Sequence, residues 1–146
     1  MIKITAADSW FSKCVRERAN WKCEVCKTQY PQNAKGLHCS HFFGRRAYGV
    51  RFDPNNAFAH CFGCHRHMGS NPDDFREWVE NKIGMENIQL LRERRDDILR
   101  AKTMKKSVSE IAKHYRLEWE TMMSKRAAGE VGKIEFEIYN LENCDE

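Results

Sequence analysis

The chain has 146 residues, of which 41% are hydrophobic and 32% are charged, and its formal net charge is +4. This length predicts one modest domain with a limited core, and no apolar run approaches the ~18 residues that a membrane-spanning helix needs. The first five residues lack the core of a signal peptide, which predicts a cytoplasmic protein without a membrane partner.

The predicted elements start with an amphipathic helix over about residues 6–19, capped by a Thr5-x-x-Asp8 box. A strand follows at Leu37–Phe43, then a glycine-bounded loop, and Val50–Phe52 is the predicted returning strand. Caps and helical spacing then predict three helices, over about residues 72–83, 86–102 and 108–126. Alternating charged and apolar residues predict a short strand at Lys133–Tyr139. In the second of these helices four side chains are predicted to point inward: Ile88, Leu91, Ile98 and Leu99.

Four of the seven cysteines form two Cys-x-x-Cys pairs, Cys23 with Cys26 and Cys61 with Cys64. Two pairs at this spacing predict one tetrahedral Zn²⁺ site, and a zinc closed by four thiolates is structural because it has no open position for water. A redox dithiol is the alternative, but the chain shows no thioredoxin-like βαβ pattern. The other cysteines are predicted to be free thiols in a reducing compartment: Cys14, Cys39 and Cys144.

The 34 residues between the two pairs are enough for a β-hairpin, and the second pair opens a helix. A knuckle, a hairpin and a second knuckle running into a helix form the treble-clef arrangement. The predicted fold is therefore α+β, with a zinc-stapled treble-clef core, an N-terminal helix and a helical C-terminal extension. We place the core in residues 1–85 and the extension, with its short terminal strand, in residues 86–146.

Polar residues suited to phosphodiester hydrolysis lie inside this zinc frame. Hydrolysis needs a base for the attacking water and a cation for the developing charge. His41 is the predicted general base, Asn56 the residue that orients its ring, and His65 a ligand for a divalent metal. For any one ring, a surface or core histidine is the alternative. Five of the six histidines nevertheless fall within 30 residues: His38, His41, His60, His65 and His67.

Basic residues crowd the same segment, which favours an anionic partner such as a phosphate backbone. The candidates for phosphate contacts are Arg45, Arg46, Arg51 and Arg66. Solvated loop side chains are an equally good interpretation of Arg45 and Arg46. A second basic cluster lies between Arg92 and Lys106, mixed with acidic residues, and a solvated helix face is the alternative there.

The combination of Ser40-His41, Asn56 and Cys61-x-x-Cys64-His65 resembles the motif of the HNH, or ββα-metal, endonucleases. The asparagine lies five positions before the third cysteine and nine before the last histidine, as that motif requires. More narrowly, the chain resembles the NinG/Rap recombination nucleases of lambdoid phages over about residues 3–100. The segments that carry this narrower resemblance are Trp10–Arg18, Ser40–Phe42, Arg51–Asn56 and Gly69–Asn71.

This resemblance implies a DNA endonuclease that cuts branched recombination intermediates such as Holliday junctions and D-loops, in the cytoplasm of a bacterial host. It implies His41 as the general base, Asn56 as the residue that holds it, and His65 as a ligand of a catalytic Mg²⁺ or Mn²⁺. Many HNH nucleases carry Asp or His where this chain has Ser40, and a hydroxyl is a poor ligand for Mg²⁺. The missing ligand would come from bound water or from a nearby histidine, His38 or His67.

Two further predictions concern partners and the main competing function. Apolar stripes after residue 85, which include Trp119 and Met122, predict a homodimer formed by residues 86–125 that places two active sites on a four-way junction. The alternative is that these helices fold back on their own core. Two other functions are alternatives to a nuclease. One is a non-catalytic zinc treble clef that binds DNA or recombination proteins, which the neutral Ser40 favours. The other is a protein-binding zinc scaffold.

Overall fold

The computed structural model describes residues 2–141, which combine helices with a two-stranded antiparallel sheet, and the predicted α+β class is confirmed. Along these residues, none of the helices has both the length and the apolar character needed to cross a bilayer. The elements in chain order are α1 (Ala6–Arg18), β1 (Leu37–His41), α2 (Tyr48–Arg51), β2 (Ala57–Cys61), α3 (Phe62–Ser70), α4 (Pro72–Ile83), α5 (Met85–Asp96), α6 (Ile98–Lys106) and α7 (Val108–Ala127).

Helix α1 begins at the predicted capping box, which is confirmed. The Asp8 amide donates to the Thr5 hydroxyl at 3.3 Å, and the Asp8 carboxylate accepts from the Thr5 amide at 2.8 Å. Its apolar stripe packs against α7, the longest helix, in the main core. That core includes Phe11, Cys14 and Val15 from α1 and Ile111, Tyr115 and Met122 from α7.

The β-hairpin lies between two apolar clusters. Its strands pair with Leu37 opposite Cys61 and His41 opposite Ala57. Alternate side chains of a strand point to opposite faces. Cys39 therefore joins the main core beside α1, and Phe58 joins a second cluster on the other side of the sheet. This second cluster is built mostly from α3, α4 and α5: Met68, Phe75, Val79 and Ile88.

The segment after β1 differs from the prediction. Val50–Phe52 is not the returning strand, because Val50 lies in the one-turn helix α2, and β2 starts only at Ala57. The Asp53 carboxylate accepts from the Asn55 amide at 3.0 Å and starts a 3₁₀ turn at Pro54–Asn56. Proline suits the first position of this turn, because its φ is already close to the helical value and it has no N–H to leave unpaired.

The helix predicted over residues 86–102 is two helices. Asp97 has an extended backbone (φ −79°, ψ 100°), and its carboxylate accepts from the Arg100 amide at 2.9 Å, so it ends α5 and caps α6. The predicted burial of Ile88 and Leu91 is confirmed. It is wrong for the residues just after the break, which are 73% and 75% exposed: Ile98 and Leu99.

The predicted terminal strand at Lys133–Tyr139 has no sheet partner within the part of the chain that the structure describes. It is an extended segment that packs against the main core through its side chains, since Ile134 and Phe136 are buried there. The Tyr139 amide donates to the Tyr115 hydroxyl at 3.1 Å, and that hydroxyl donates to the Phe52 carbonyl at 2.5 Å. Apolar anchoring on α7 replaces the backbone pairing of a sheet.

The C-terminal helices complete the core of the same chain. Met122 is buried and Trp119 is partly buried against α1, so residues on both sides of position 85 share the main core. The two side chains that suggested a homodimer, Trp119 and Met122, therefore pack within one chain, whereas Leu117 on the same helix is 61% exposed. Cys14 and Cys39 are free and buried, and Cys144 lies outside the described residues.

Candidate functional site

Two Cys-x-x-Cys pairs meet at the base of the hairpin. The Sγ atoms of Cys23, Cys26, Cys61 and Cys64 all lie within 4.8 Å of one another, and those of Cys26 and Cys61 are 3.7 Å apart. Four sulfurs about 2.3 Å from one tetrahedral zinc are about 3.8 Å from each other. The predicted set of ligands is confirmed as a group that could hold a structural zinc.

The backbone of each pair is folded for this task. The Lys27 amide donates to the Cys23 carbonyl and the Cys23 amide to the Thr28 carbonyl, both at 2.9 Å, while Lys27 has a φ of 65°. This left-handed turn brings the first two sulfurs together. In the second pair, Cys61 caps α3, and its sulfur accepts from the Cys64 amide at 3.4 Å. Each knuckle thus donates backbone N–H groups towards thiolate or carbonyl acceptors.

The surroundings of Cys26 favour metal binding. The hydroxyl of Thr28 lies 3.2 Å from the Cys26 sulfur and is the main cause that lowers the pKa of this thiol to about 6. Thiolate is the form that binds zinc. Cys26 is therefore ready to lose its proton near neutral pH.

A pair of histidines lies beside the zinc ligands. His38 of β1 and His65 of α3 approach with their Nδ1 atoms 3.0 Å apart, and their rings are nearly perpendicular. They line an open cleft with Phe62, Arg66 and Gly69. Burial, and then the charge of His38, lowers the pKa of His65, so its ring favours the neutral form that binds metals.

His41 lies at the far end of β1, three positions after His38, so the two rings leave opposite faces of the strand. Its Nε2 is 3.0 Å from the Arg51 carbonyl oxygen. Because a carbonyl only accepts, Nε2 carries the hydrogen and Nδ1 keeps a free lone pair. Burial is the main cause that lowers the pKa of His41 to about 4, with the Arg45 charge second. The ring is therefore neutral at pH 7.

Asn56 does not hold the His41 ring directly, contrary to the predicted contact. Its Nδ2 donates to the carbonyls of Phe43 at 2.8 Å and Val50 at 3.0 Å, and its Oδ1 accepts from the Phe43 amide at 2.8 Å. The amide group thereby closes the loop between β1 and α2. It fixes the backbone next to Arg51, whose carbonyl orients the histidine, so Asn56 acts on His41 through the loop.

The four arginines predicted to bind phosphate fall into different environments. Arg51 is 1% exposed and binds the Asp8 carboxylate through Nε at 2.9 Å and Nη2 at 2.7 Å. The prediction that it contacts DNA is wrong, because this buried ion pair consumes its guanidinium. Arg46 and Arg66 are exposed.

Arg45 is the arginine most closely tied to the histidines. Its side chain is 34% exposed, and its Nε lies 3.8 Å from the Asp8 carboxylate, a loose contact that leaves the guanidinium partly free. Its positive charge lowers the pKa of both His41 and His65. One arginine therefore lies within electrostatic reach of the predicted base and the predicted metal ligand.

His67 and His60 also lie in different environments. His67, the other predicted extra ligand, is exposed and directs its Nε2 to the Asp74 carboxylate at 3.0 Å, away from His65. His60, which had no predicted role, is fully buried among aromatic rings, including Phe75 and Trp78. Its position opposite His38 in the hairpin becomes visible only once the strand register is known.

The second basic cluster is partly structural. Arg94 pairs with the Asp53 carboxylate at 2.6 Å, and Arg100 donates to the Gly49 carbonyl at 2.9 Å. Arg95 lies over the Phe43 ring, 4.6 Å from its centroid, at the edge of the arginine-bearing loop. Its bidentate contact with the neighbouring Asp96 is exposed. These contacts tie α5 and α6 to the loop that Asn56 closes.

Comparisons with known proteins do not assign a family. No protein-family model matches the chain, and neither the curated proteins nor the solved structures give a significant match. The function is therefore argued from the chemistry of the site alone.

Proposed function

We propose that this chain is a metal-dependent DNA endonuclease of the HNH type, with a zinc-stapled treble-clef, or ββα-metal, core. Three features support the proposal: the hairpin β1–β2 runs directly into α3, four thiolates tie the junction, and His65 lies on the first turn of that helix. The substrate we propose is DNA with branches, such as a Holliday junction or a D-loop.

The observation that carries the proposal is the hydrogen bond between His41 Nε2 and the Arg51 carbonyl. It fixes one tautomer and one ring orientation, with Nδ1 as the basic nitrogen. The lowered pKa keeps this histidine unprotonated at neutral pH, as a general base must be, and also makes it a weaker base than a free imidazole. In this mechanism Nδ1 takes the proton of the attacking water, and Asn56 is a positioning residue.

Arginines supply the charge that a phosphodiester substrate needs. The positive charge of Arg45 acts on both His41 and His65, and its guanidinium is only loosely paired with Asp8. It would bind the scissile phosphate, since guanidinium groups bind phosphate oxygens in a bidentate manner. Arg46 and Arg66 are exposed and would contact neighbouring phosphates along the backbone.

The donor groups of the cleft fit a divalent cation. His38 and His65 present two imidazole nitrogens 3.0 Å apart, beside an opening to solvent. Mg²⁺ or Mn²⁺ bound there would act as a Lewis acid and offset the charge that develops on the phosphate. The hydroxyl of Ser40 is buried without a hydrogen-bond partner, which leaves the ligands to the histidines and water.

A plasmid-nicking assay with Mg²⁺ or Mn²⁺ tests the proposal. We expect the wild-type chain to nick DNA and His41→Ala to lose about 10²–10⁴-fold in rate while it still binds DNA. His67→Ala is the matched control, because it removes an exposed histidine paired with Asp74. Cleavage near the wild-type rate by His41→Ala would remove His41 from the mechanism.

One observation favours a second candidate, a non-catalytic zinc module that binds DNA or acts as an accessory to recombination. His38, His65 and Ser40 offer no carboxylate ligand for a hard cation such as Mg²⁺. Such a module would bind junction DNA through Arg46 and Arg66 and leave every substrate uncut. A panel of branched and linear DNA, assayed for both binding and cleavage at matched salt, separates the two candidates. Light scattering of the same samples tests the homodimer that was predicted from the sequence.

A further inference from the structure

Phe62 is a large apolar side chain that the folded chain leaves in solvent. It is 62% exposed, and it belongs to none of the three apolar clusters formed by the described residues. Val25, the apolar residue between the first two cysteines, packs against two of these clusters instead. A single exposed apolar side chain is common on protein surfaces, so its surroundings decide whether Phe62 has a function.

Phe62 begins an open face of α3. Phe62, Arg66 and Gly69 are spaced by four and three positions, so they lie along one side of the helix, and all three are exposed. The same three residues border the cleft of His38 and His65. An added Cβ at Gly69 would meet no heavy atom within 4 Å, so the described part of the chain leaves the end of this face uncovered.

The aromatic ring of Phe62 has a free face. It contacts the His38 ring nearly at right angles (81°), with the two ring centroids 6.1 Å apart. A contact of this edge-to-face kind covers at most one of the two faces of a ring. Cys61 and Cys64, on either side of Phe62 in the chain, both belong to the four-cysteine group. The ring is therefore presented from a fixed backbone position, which lowers the conformational cost of stacking on a ligand.

An exposed aromatic ring beside an arginine matches the chemistry of a nucleotide. Nucleobases stack on aromatic side chains, and this interaction tolerates any sequence because every base has a π-face. The guanidinium of Arg66, one helical turn from Phe62, has the charge and geometry to bind a phosphate of the same strand. A base inside a duplex is already stacked between its neighbours, so it must leave the stack to reach the Phe62 ring.

We propose that Phe62 stacks on an unpaired nucleobase of DNA while Arg66 binds the adjoining phosphate, so that the cleft selects DNA with unpaired bases. This inference rests on the proposed function and narrows its substrate. A D-loop contains a displaced single strand, whereas all the bases of a four-way junction can stay paired. The chain should therefore bind a D-loop more tightly than a four-way junction or a linear duplex.

The test measures DNA binding by the zinc-loaded full chain without added Mg²⁺ or Mn²⁺, so that no strand is cut. The probes are a D-loop, a four-way junction and a linear duplex at matched salt. The D-loop carries the fluorescent base 2-aminopurine at successive positions of its displaced strand. We expect the D-loop to bind most tightly and its fluorescence to fall at one position as that base stacks. Phe62→Ala should weaken D-loop binding by at least about tenfold and abolish the fluorescence change, with little effect on duplex binding.

Three further variants separate stacking from other effects. Phe62→Trp keeps a flat ring and should bind the D-loop as the wild type does. Phe62→Leu keeps apolar volume without the ring, should bind as weakly as Phe62→Ala, and replaces that variant if it does not fold. Leu117→Ala is the matched control, because it removes a side chain that is 61% exposed from α7, and it should leave binding unchanged. Constant zinc content shows that the cysteine site is intact in each variant.

Several outcomes would overturn the proposal. Phe62→Ala with wild-type affinity for the D-loop would remove Phe62 from DNA binding. Equal losses on the D-loop and the duplex would make Phe62 a general contact without selectivity, and wild-type binding by Phe62→Leu would exclude stacking on the ring. A wild-type chain that binds the four-way junction more tightly than the D-loop would contradict the substrate preference.

The failure of this proposal differs from the failure of the proposed function. Cleavage of the same D-loop with Mg²⁺ or Mn²⁺ separates the two. A chain that stacks the base on Phe62 but cuts no DNA would keep the stacking site and lose the nuclease. A chain that cuts and binds the D-loop equally well before and after Phe62→Ala would keep the nuclease and lose the stacking site.

Discussion

Two regions of the molecule are stabilised by different interactions. The knuckle region, residues 20–36 with the start of α3, packs Trp21 against Leu37 of β1 in a small apolar cluster and lies at the four-cysteine group. The helical region, α1 and α7 with the segment Ile134–Tyr139, has an extensive apolar core. Zinc held by the four cysteines would stabilise the first region, which has little core, whereas apolar burial stabilises the second.

The hairpin belongs to both regions, which explains its place in the site. Cys39 packs in the helical core, and Cys61, at the end of the partner strand, belongs to the four-cysteine group that could hold zinc. Loss of zinc should therefore disturb His38 and His65 more than His41, whose ring packs beside Phe11 of α1. The predictions below test this division, from the largest expected effect to the smallest.

The largest effect should follow removal of zinc. Cys61→Ser leaves three thiolates, and because structural zinc contributes about 10–16 kcal/mol to small domains, we expect residues 20–36 and α3 to lose their order. Hydrogen exchange should show lost amide protection there before α1 and α7 lose theirs. Cys39→Ala, a buried cysteine of the same hairpin, is the control and should retain one zinc. A zinc-free Cys61→Ser chain with a protected hairpin would contradict this picture.

The helical region should respond to burial and not to zinc. Ile111 is fully buried in the main core, so Ile111→Ala should lower the free energy of unfolding by about 2–5 kcal/mol. Leu117→Ala on the same helix removes a side chain that is 61% exposed and should change it by less than about 0.5 kcal/mol. Urea denaturation measures both. Loss of zinc from folded Ile111→Ala would show that the regions are not independent.

A third prediction concerns the contact between α2 and α5. A Cβ at Gly49 would clash with the carbonyl oxygen of Arg94, a backbone atom that cannot rotate away. Gly49→Ala should therefore cost about 1–3 kcal/mol by overpacking. Gly44→Ala is the control, since no heavy atom lies within 4 Å of its added Cβ. Equal unfolding free energies for the two variants would mean that α5 shifts freely.

The smallest expected effect is a pH dependence at His41. Burial lowers the pKa of His41 from 6.5 to about 4, so the unfolded chain binds a proton in this range and the folded chain does not. The stability from neutral His41 is present above about pH 6.5 and is lost as the pH falls towards 4. Between pH 7.5 and 5 we expect a loss of about 1–2 kcal/mol in the wild type relative to His41→Gln. A difference that does not change with pH would show an ordinary pKa.

Local chemistry made much of the molecule predictable. The capping box at Thr5 and Asp8 acts over three residues, and the start of α4 at Pro72 needs only its own flanking residues. The cysteine spacing also limits the fold, because each pair must present two sulfurs to one ion. The α+β class and the four-cysteine group were therefore accessible from the sequence.

Other features depend on neighbours that are distant along the chain. Arg46 and Arg51 belong to the same basic segment of the sequence, and Arg46 is exposed. Arg51 is buried instead, because it pairs with Asp8, 43 positions earlier. In the sequence, the helical spacing of hydrophobic residues continues past Asp97. In the structure, Asp97 caps a new helix and Leu99 is exposed. Whether a side chain is buried depends on which element packs against it, and hydrophobic periodicity alone does not identify that element.

The sequence by itself determined which groups are available: four thiolates, clustered histidines and a basic loop. Only the tertiary structure decided which of them meet. Strand register and the position of α3 bring His38 to His65, and the fold of the loop after β1 brings the Arg51 carbonyl to His41. The physical reason is that residue type fixes the chemistry of a side chain, whereas its pairing depends on long-range packing of the whole chain.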